Sequence, residues 1–172
     1  MDQAYCDALR FAIDFENKGE QFYRQSIETV ADATAKKALQ FLADEELGHI
    51  RKIEDFNNSL LGEGSFDLER ECSRELPERI KRFVKEYVSD KSKEITTGSQ
   101  DVQIYDVALD IEKRGYDMYK SIHVGNENAV LRQFFEFMAA EEIQHYNLLA
   151  STKKYLEDPS AYFEDYGGWV FG

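Results

Sequence analysis

A nine-residue stretch of this chain occurs twice, and the repeat constrains the fold more than any other feature of the sequence. The first copy runs from Phe41 to His49 and reads FLADEELGH, and the second runs from Phe137 to His145 and reads FMAAEEIQH. The copies lie 96 positions apart (137 − 41 = 96) and share five of nine residues. Each contains Glu-x-x-His, which on a helix puts a carboxylate and an imidazole on one face, one turn apart. Such a pair can bind one metal ion.

The spacing of apolar residues predicts four long helices in an all-α fold. The first covers about 2–30, the second ends near Leu60, the third covers about 101–123, and the fourth ends near Leu156, before Pro159. Breaks are expected around 31–34 and 124–126, where residues that start or stop helices cluster. Charged and imidazole side chains take positions in the apolar seams of all four helices: Glu16, Glu46, His49, Glu112, Glu142 and His145.

The first and third helices are related by the same offset. The segment from Phe11 reads FAIDFENKGEQFY and the segment from Val107 reads VALDIEKRGYDMY, with five identities in thirteen positions. A constant offset in separate blocks is typical of internal duplication, so the sequence predicts two related helical hairpins, at about 2–60 and 101–156.

Hairpin geometry predicts that the six seam residues lie at one height. Residues equidistant from a turn lie level when two helices fold back on each other, and the midpoint between Glu16 and Glu46 is position 31. The midpoint between Glu112 and Glu142 is position 127, so the first midpoint falls in the predicted break at 31–34 and the second directly follows the one at 124–126. At about 1.5 Å per residue, the acids lie roughly 20 Å from each turn, near the middle of a bundle.

Residues 61–100 are interpreted as a long crossover between the hairpins, within a bundle domain at 1–158. A loop is expected to Glu75, followed by a short amphipathic helix from Pro77 whose basic side is read as a solvated face. Residues 159–172 form an aromatic tail, expected to fold back onto the bundle, with docking to a partner as the alternative.

Composition excludes several classes of protein. The 172 residues carry a formal net charge of −13, which argues against binding to nucleic acid or to an anionic membrane surface. No apolar run reaches the ~20 residues of a membrane span, and the N-terminus is acidic where a signal peptide is basic. A cytoplasmic protein is therefore expected. Cys6 and Cys72 form no Cys-x-x-Cys pair and cannot build a four-cysteine iron site.

The buried acids favour a metal site over coincidence. A single seam histidine is more often a hydrogen-bonded core residue, and a single seam acid can lie at a frayed end. Four carboxylates buried together, however, cost several kcal/mol each unless cations compensate them. Two divalent ions supply the matching charge, with two neutral imidazoles as further ligands. The sequence therefore predicts a dinuclear centre.

Glutamate on the first and third helices, with Glu-x-x-His on the second and fourth, resembles the ferritin-like di-iron carboxylate proteins. Within them the chain is most similar to the rubrerythrin group, and the resemblance covers all four helices. It implies a ferritin-like four-helix bundle that binds two iron ions, with manganese or zinc as alternatives. Bridging of the metals is implied for Glu46 and Glu112 or their repeat mates. The implied ligands are the six seam residues: Glu16, Glu46, His49, Glu112, Glu142 and His145.

Some residues around this ligand set need separate interpretation. Tyr23 and Tyr119 face the same way as Glu16 and Glu112 and either hydrogen-bond ligand carboxylates or simply pack in the core. Rubrerythrins have another glutamate where this chain has Gly115. That glycine, with Gly19 at the matching place, either leaves room for an oxygen-derived ligand or water, or permits close helix packing.

The resemblance implies an oxidoreductase, which most simply reduces hydrogen peroxide to water as part of an oxidative-stress response. The rubredoxin domain that supplies electrons in rubrerythrins has no counterpart in this sequence, so a separate electron-donor protein is expected. The alternatives are a ferroxidase that uses dioxygen and a metal-stabilised interaction module without turnover. A homodimer is expected because dimers are common among similar proteins.

Overall fold

Four helices make up almost all of the chain that the structure describes. The structure is a computed structural model, and it describes residues 3–60, 62, 99–124, 128–160 and 162. The helices are α1 (Gln3–Thr29), α2 (Ala33–Leu60), α3 (Ser99–Val124) and α4 (Ala129–Glu157). Their bounds lie close to the predicted ones, and no strand occurs in these ranges. The predicted all-α four-helix bundle is therefore confirmed. No helix in the described ranges has an apolar stretch long enough to cross a membrane.

The second helix of each hairpin begins at a capping residue. The Asp32 side chain accepts hydrogen bonds from the backbone N–H of Thr34 (2.6 Å) and Ala35 (2.9 Å). Asn128 does the same for Val130 (2.9 Å) and Leu131 (3.3 Å). These bonds satisfy N–H groups that have no partner within the helix. Asp32 and Asn128 are themselves 96 positions apart (128 − 32 = 96), so the repeat extends to the start of both helices.

Contacts between the hairpins show how the helices run. The carboxylate of Asp101, in the first turn of α3, accepts hydrogen bonds from the backbone N–H of Ala31 (3.1 Å) and Asp32 (2.9 Å). The Tyr105 hydroxyl donates to the Ala35 carbonyl at 2.9 Å. Because α3 begins beside the turn in which α1 ends, α1 and α3 are antiparallel.

Helices α2 and α4 are antiparallel as well. Phe56, near the end of α2, stacks on Phe134, near the start of α4, with ring centroids 4.0 Å apart. Nearer the middle of both helices, Lys52 lies 3.5 Å from Glu141. The predicted hairpins, α1 with α2 and α3 with α4, hold the closest helix packing in the bundle.

The core consists of two apolar layers, one on each side of the six seam residues. Each layer takes residues from all four helices and contains large side chains that are almost completely buried. The layer nearer the turn at 30–32 includes Tyr23, Leu39, Leu42, Tyr105 and Leu149. The layer at the other end includes Leu9, Ile53, Phe56, Tyr119, Phe134, Phe135 and Met138. The bundle thus closes off its middle from both ends.

The described ends of the crossover lie at opposite ends of the bundle. Leu60 packs against the layer that contains Tyr119, whereas Asp101 lies beside the turn at 30–32. The two described ends are therefore separated by the length of the bundle, as the ends of a crossover are. The predicted loop to Glu75 and the predicted helix from Pro77 lie outside the described residues.

Tyr162, near the start of the predicted aromatic tail, packs against α4. The ring of Tyr162 contacts that of Tyr155 edge-on at 5.8 Å, and its hydroxyl lies 3.3 Å from that of Ser151. The remaining tail residues from 163 onward are outside the described part of the chain.

Replacing Asp101 with alanine is expected to lower the free energy of unfolding by about 2 kcal/mol, since backbone N–H groups at the turn lose a charged acceptor. Urea denaturation measures the change. The control is Asp110→Ala on the same helix, because Asp110 is half-exposed and paired only along the surface with Arg114. Its effect should stay within about 0.5 kcal/mol. Equal losses in the two variants would contradict the proposed role of Asp101 at the turn.

Candidate metal centre

All six seam residues meet in the middle of the bundle. The side chain of Glu16 comes from α1 and that of Glu112 from α3, while α2 and α4 each supply a glutamate and a histidine one turn apart. None is more than 3% exposed. The residues that share this layer are Glu16, Glu46, His49, Glu112, Glu142 and His145. The prediction that they lie level is confirmed by their mutual distances.

His49 lies among three carboxylates from three different helices. Its Nδ1 atom is 3.0 Å from Glu16 Oε2, 3.5 Å from Glu46 Oε2 and 3.6 Å from Glu142 Oε1. Convergence of one ring nitrogen and several carboxylate oxygens on one point is the arrangement that a divalent ion requires.

His145 repeats this arrangement on the other side of the layer. Its Nδ1 is 3.4 Å from Glu112 Oε2 and 3.6 Å from Glu46 Oε1. The two imidazole rings are nearly parallel, with centroids 5.0 Å apart. Ligand atoms within 4.8 Å of one another form three groups: Glu16 with His49 and Glu142, Glu46 with both histidines, and Glu112 with Glu142 and His145. Atoms bound about 2.1 Å from one ion are at most about 4.2 Å apart, so a small contraction suffices.

Two of the glutamates are shared between the two sides. Glu46 turns one oxygen toward His49 and the other toward His145. Glu142 belongs to one group with His49 and to another with His145. Glu16 and Glu112 each share a group with one histidine only. Glu46 and Glu142, the glutamates of the two Glu-x-x-His motifs, therefore lie between the two histidines, and both belong to the predicted bridging set of Glu46 and Glu112 or their repeat mates.

Two buried tyrosines hold the outer glutamates from the opposite hairpin. The hydroxyl of Tyr23 on α1 donates to Glu112 Oε1 on α3, and that of Tyr119 on α3 donates to Glu16 Oε1 on α1. Each glutamate thus gives one oxygen to a tyrosine and keeps Oε2 near a histidine. The predicted hydrogen bonds are present, but they cross between the hairpins because α1 and α3 run antiparallel.

Burial and mutual repulsion raise the pKa of two of the carboxyl groups, those of Glu16 and Glu142. Burial alone would raise the pKa of Glu46 too, but hydrogen bonds with Glu16 and the two histidines outweigh it and lower the pKa to about 2. Burial, with the nearby Glu46 carboxylate, raises the pKa of Glu16 to about 8. Burial and Glu112 raise the pKa of Glu142 well above its usual value.

For His145, burial alone lowers the pKa, but Glu112 and Glu46 outweigh it and raise it to about 10. For His49, burial lowers the pKa, but the nearby carboxylates, first that of Glu16, together outweigh it. The pKa of His49 therefore also lies well above its usual value.

The donor atoms fit a pair of metal ions. Three atoms at the centre, Glu112 Oε2, Glu142 Oε1 and His145 Nδ1, have no hydrogen-bond partner among the described residues, although all are buried. A buried polar atom without a partner is costly, and a cation would satisfy all three. Imidazole and carboxylate ligands suit iron, manganese and zinc. The residues present therefore match the dinuclear centre that the sequence predicts.

The two glycines at the centre make room for carboxylates. A Cβ atom at Gly115 would meet Glu142 Oε2 at 2.3 Å and Phe15 Cε1 at 2.9 Å. A Cβ atom at Gly19 would meet the nearest atom of Glu46 at 3.5 Å, an ordinary contact. The space beside Gly115 is thus filled by a glutamate and a ring, which supports close packing over room for an added ligand.

The remaining acids and histidine near the motifs have partners elsewhere. Glu20, one helical turn after Glu16, pairs with Arg24 at 2.5 Å. His123 Nδ1 lies 2.9 Å from the Arg132 carbonyl oxygen and has a structural role at the second hairpin turn. Sequence reasoning missed Lys52, whose ammonium group lies 3.5 Å from Glu141, the residue beside the Glu142 ligand. Lys52 follows His49 by one helical turn, and this spacing is the feature of the sequence that could have identified it as a neighbour of the centre.

Gly115→Ala is expected to displace the Glu142 carboxylate, because the added Cβ atom would lie 2.3 Å from Glu142 Oε2. Since Glu142 is one of the predicted ligands, divalent-metal binding should weaken at least about tenfold. Gly19→Ala is the matched control: it should leave metal binding unchanged and raise the free energy of unfolding by about 0.5–1 kcal/mol, the helix preference of alanine over glycine. Metal titration and urea denaturation of both variants measure these effects. Equal metal affinities in the two variants would contradict this explanation.

Metal binding is expected to release about four protons at pH 7, since two carboxylic acids and two imidazolium groups must lose them before they can act as ligands. Apparent affinity should therefore fall as the pH falls, because protons compete for the same atoms. Calorimetric Zn²⁺ titration in two buffers of different ionisation enthalpy gives the proton count. Affinity independent of pH, without proton release, would be inconsistent with these six groups as ligands.

The family model for rubrerythrin matches residues 7–153, a span that contains all six residues of the centre. No curated protein and no solved structure gives a significant match to the chain. The family match covers most of the chain and agrees with the bundle and with the buried glutamate and histidine groups. This chain belongs to the rubrerythrin family and contains its di-iron, ferritin-like domain.

Proposed function

We propose that this protein binds two iron ions at the six buried residues and reduces hydrogen peroxide to water in the cytoplasm. The observation that carries the proposal is the pair of overlapping ligand groups, one around His49 and one around His145, joined by Glu46 and Glu142. The four carboxylates could balance the charge of two divalent ions, leaving both imidazoles neutral.

Two ferrous ions bound there would supply the two electrons that, with two protons, convert one molecule of hydrogen peroxide into two molecules of water. Iron is favoured over zinc because zinc has no accessible second oxidation state, whereas manganese remains an alternative on ligand type alone.

The side chains of the centre have distinct roles in holding the two ions. Glu16 with His49 would hold one ion and Glu112 with His145 the other, while Glu46 and Glu142 would bridge. Surrounding residues keep these ligands in place.

Tyr23 and Tyr119 keep Glu112 and Glu16 in position through their hydroxyl donors. Burial and the adjacent carboxylates raise the pKa of both tyrosines well above the usual value, so they remain protonated donors.

The apolar layers above and below the centre serve to exclude bulk water. Tyr105 and Leu39 on one side and Phe135 and Met138 on the other are at most 1% exposed. A dry, pre-arranged site admits a small uncharged oxidant and excludes charged reductants. Electrons would therefore arrive from a separate donor protein at the surface. We further propose that the chain acts as a homodimer and binds neither nucleic acid nor membrane.

The test uses protein loaded with Fe²⁺ without oxygen and mixed with peroxide or with dioxygen in a stopped-flow instrument. Oxidation should be faster with peroxide than with an equal concentration of dioxygen, with two electrons consumed per peroxide. Glu142→Ala should abolish the reaction and reduce bound iron from two ions per chain, because both ions lose a ligand. Glu54→Ala is the control, since Glu54 lies on α2 but is exposed and is not one of the six central residues; it should behave as wild type.

The other outcomes decide between the alternatives. Faster oxidation by dioxygen would indicate a ferroxidase that handles iron. Two bound irons that react with neither oxidant would indicate a metal-stabilised interaction module. Failure of wild-type protein to bind two metal ions per chain would overturn the proposal as a whole.

A further inference from the structure

The side of the centre between α1 and α3 is walled largely by backbone. Glu46 lies against Gly19 of α1, and Glu142 lies against Gly115 of α3. Gly115 faces α1, because a Cβ atom there would lie 2.9 Å from Phe15 Cε1. Both glycines are buried and have no side chain, so they add little between these two carboxylates and the outside of the bundle.

The ring of Phe15 fills the space beside Gly115. The Cβ position of Gly115 is 2.9 Å from Phe15 Cε1 and 2.3 Å from Glu142 Oε2. These two distances add to 5.2 Å, which is the upper limit for the separation of the ring atom from the carboxylate oxygen. Phe15 is nevertheless partly exposed, whereas Glu142 is 1% exposed. One aromatic side chain therefore reaches from the surface to a predicted metal ligand.

Two rows of residues lead from the surface to this wall. Residues four apart lie on one side of a helix, and the rows are repeat mates at the 96-residue offset. In each row the first residue is exposed, the second partly exposed and the third buried. The rows are Phe11, Phe15 and Gly19 on α1, and Val107, Ile111 and Gly115 on α3. Phe11 is 58% and Val107 50% exposed, so the approach to the centre is apolar from the surface inward.

The other sides of the centre are closed more firmly among the described residues. The two apolar layers, whose large side chains are almost completely buried, cover both ends. On the side between α2 and α4, Lys52 pairs with Glu141 and lies over the ring of Phe137. Opening that side breaks an ion pair. Turning the ring of Phe15 away from Gly115 breaks only apolar contacts.

We infer that Phe15 is a gate, and that an uncharged oxidant reaches the centre between α1 and α3 when this ring turns away from Gly115. The inference rests on the proposed function, since it concerns access to that same centre. Phe15 holds no ligand in place in this role. A gate changes the barrier to entry and to exit equally, so it alters both rates and leaves the affinity of a bound molecule unchanged.

The experiment uses protein loaded with Fe²⁺ without oxygen and nitric oxide as a small uncharged probe. Stopped-flow absorption gives the rate constants for association and dissociation of the probe, without turnover. Phe15→Ala should raise both at least about tenfold, which corresponds to about 1.4 kcal/mol of barrier. The dissociation constant and the number of irons bound per chain should match wild type.

Phe22→Ala is the matched control. Phe22 is also a partly exposed phenylalanine of α1, but it contacts Tyr23 and packs on the layer nearer the turn at 30–32. Its loss removes a similar apolar contact away from the gate, so both rate constants should match wild type. Phe15→Leu serves if Phe15→Ala fails to fold, and should raise both rate constants by a smaller factor, because leucine fills part of the space of the ring.

Three results would overturn the inference and leave the dinuclear centre standing. The first is unchanged rates in both Phe15 variants, and the second is equal acceleration in Phe22→Ala, which would indicate general loosening of the bundle. The third is an altered dissociation constant with an unchanged association rate, which would indicate that Phe15 supports Glu142 instead of controlling entry. A wild-type protein that binds no iron would overturn both the inference and the proposed function.

Discussion

Burial of four carboxylates in one layer is the constraint on which the rest of this structure depends. Each would cost several kcal/mol if left charged and uncompensated away from water. Two imidazoles share the layer, and large apolar side chains lie above and below it. The fold tolerates this cluster only when positive charge, from either protons or metal ions, compensates the carboxylates. The stability of the fold and the capacity to bind metal therefore have the same physical origin. The raised pKa values of Glu16 and Glu142 reflect that cost, because these buried groups keep their protons and so avoid becoming charged.

The antiparallel packing of the two hairpins makes the halves depend on each other. Tyr23 in the first hairpin donates to Glu112 in the second, and Tyr119 in the second donates to Glu16 in the first. Glu46 also faces the histidines of both hairpins. One hairpin alone would therefore leave Glu16 or Glu112 without its tyrosine donor, and its histidine without the carboxylate that the other hairpin supplies. The repeat builds one centre from two halves, not two independent sites.

Sequence repetition nevertheless leaves the halves unequal. Gly115 has Glu142 and Phe15 pressed against it, whereas Gly19 leaves ordinary space beside Glu46. Lys52 faces Glu141, whereas the corresponding position carries Leu148. Neither difference alters a ligand. The first lies against the carboxylate of Glu142 and the second beside its neighbour Glu141, so the two halves of a symmetric residue set have different surroundings.

The sequence by itself determined the four helices and the identity of the six central residues. Helical periodicity is a local property of the sequence, so it predicts the helices. The constant offset and the two hairpin midpoints predict the height of the six residues along the bundle without knowledge of how the helices pack. Only the tertiary structure decided which glutamates are shared, which tyrosine holds which acid, and what fills the space beside Gly115. Those features depend on how α1 faces α3 and α2 faces α4, and a spacing along one chain carries no information on the distance between side chains of different helices.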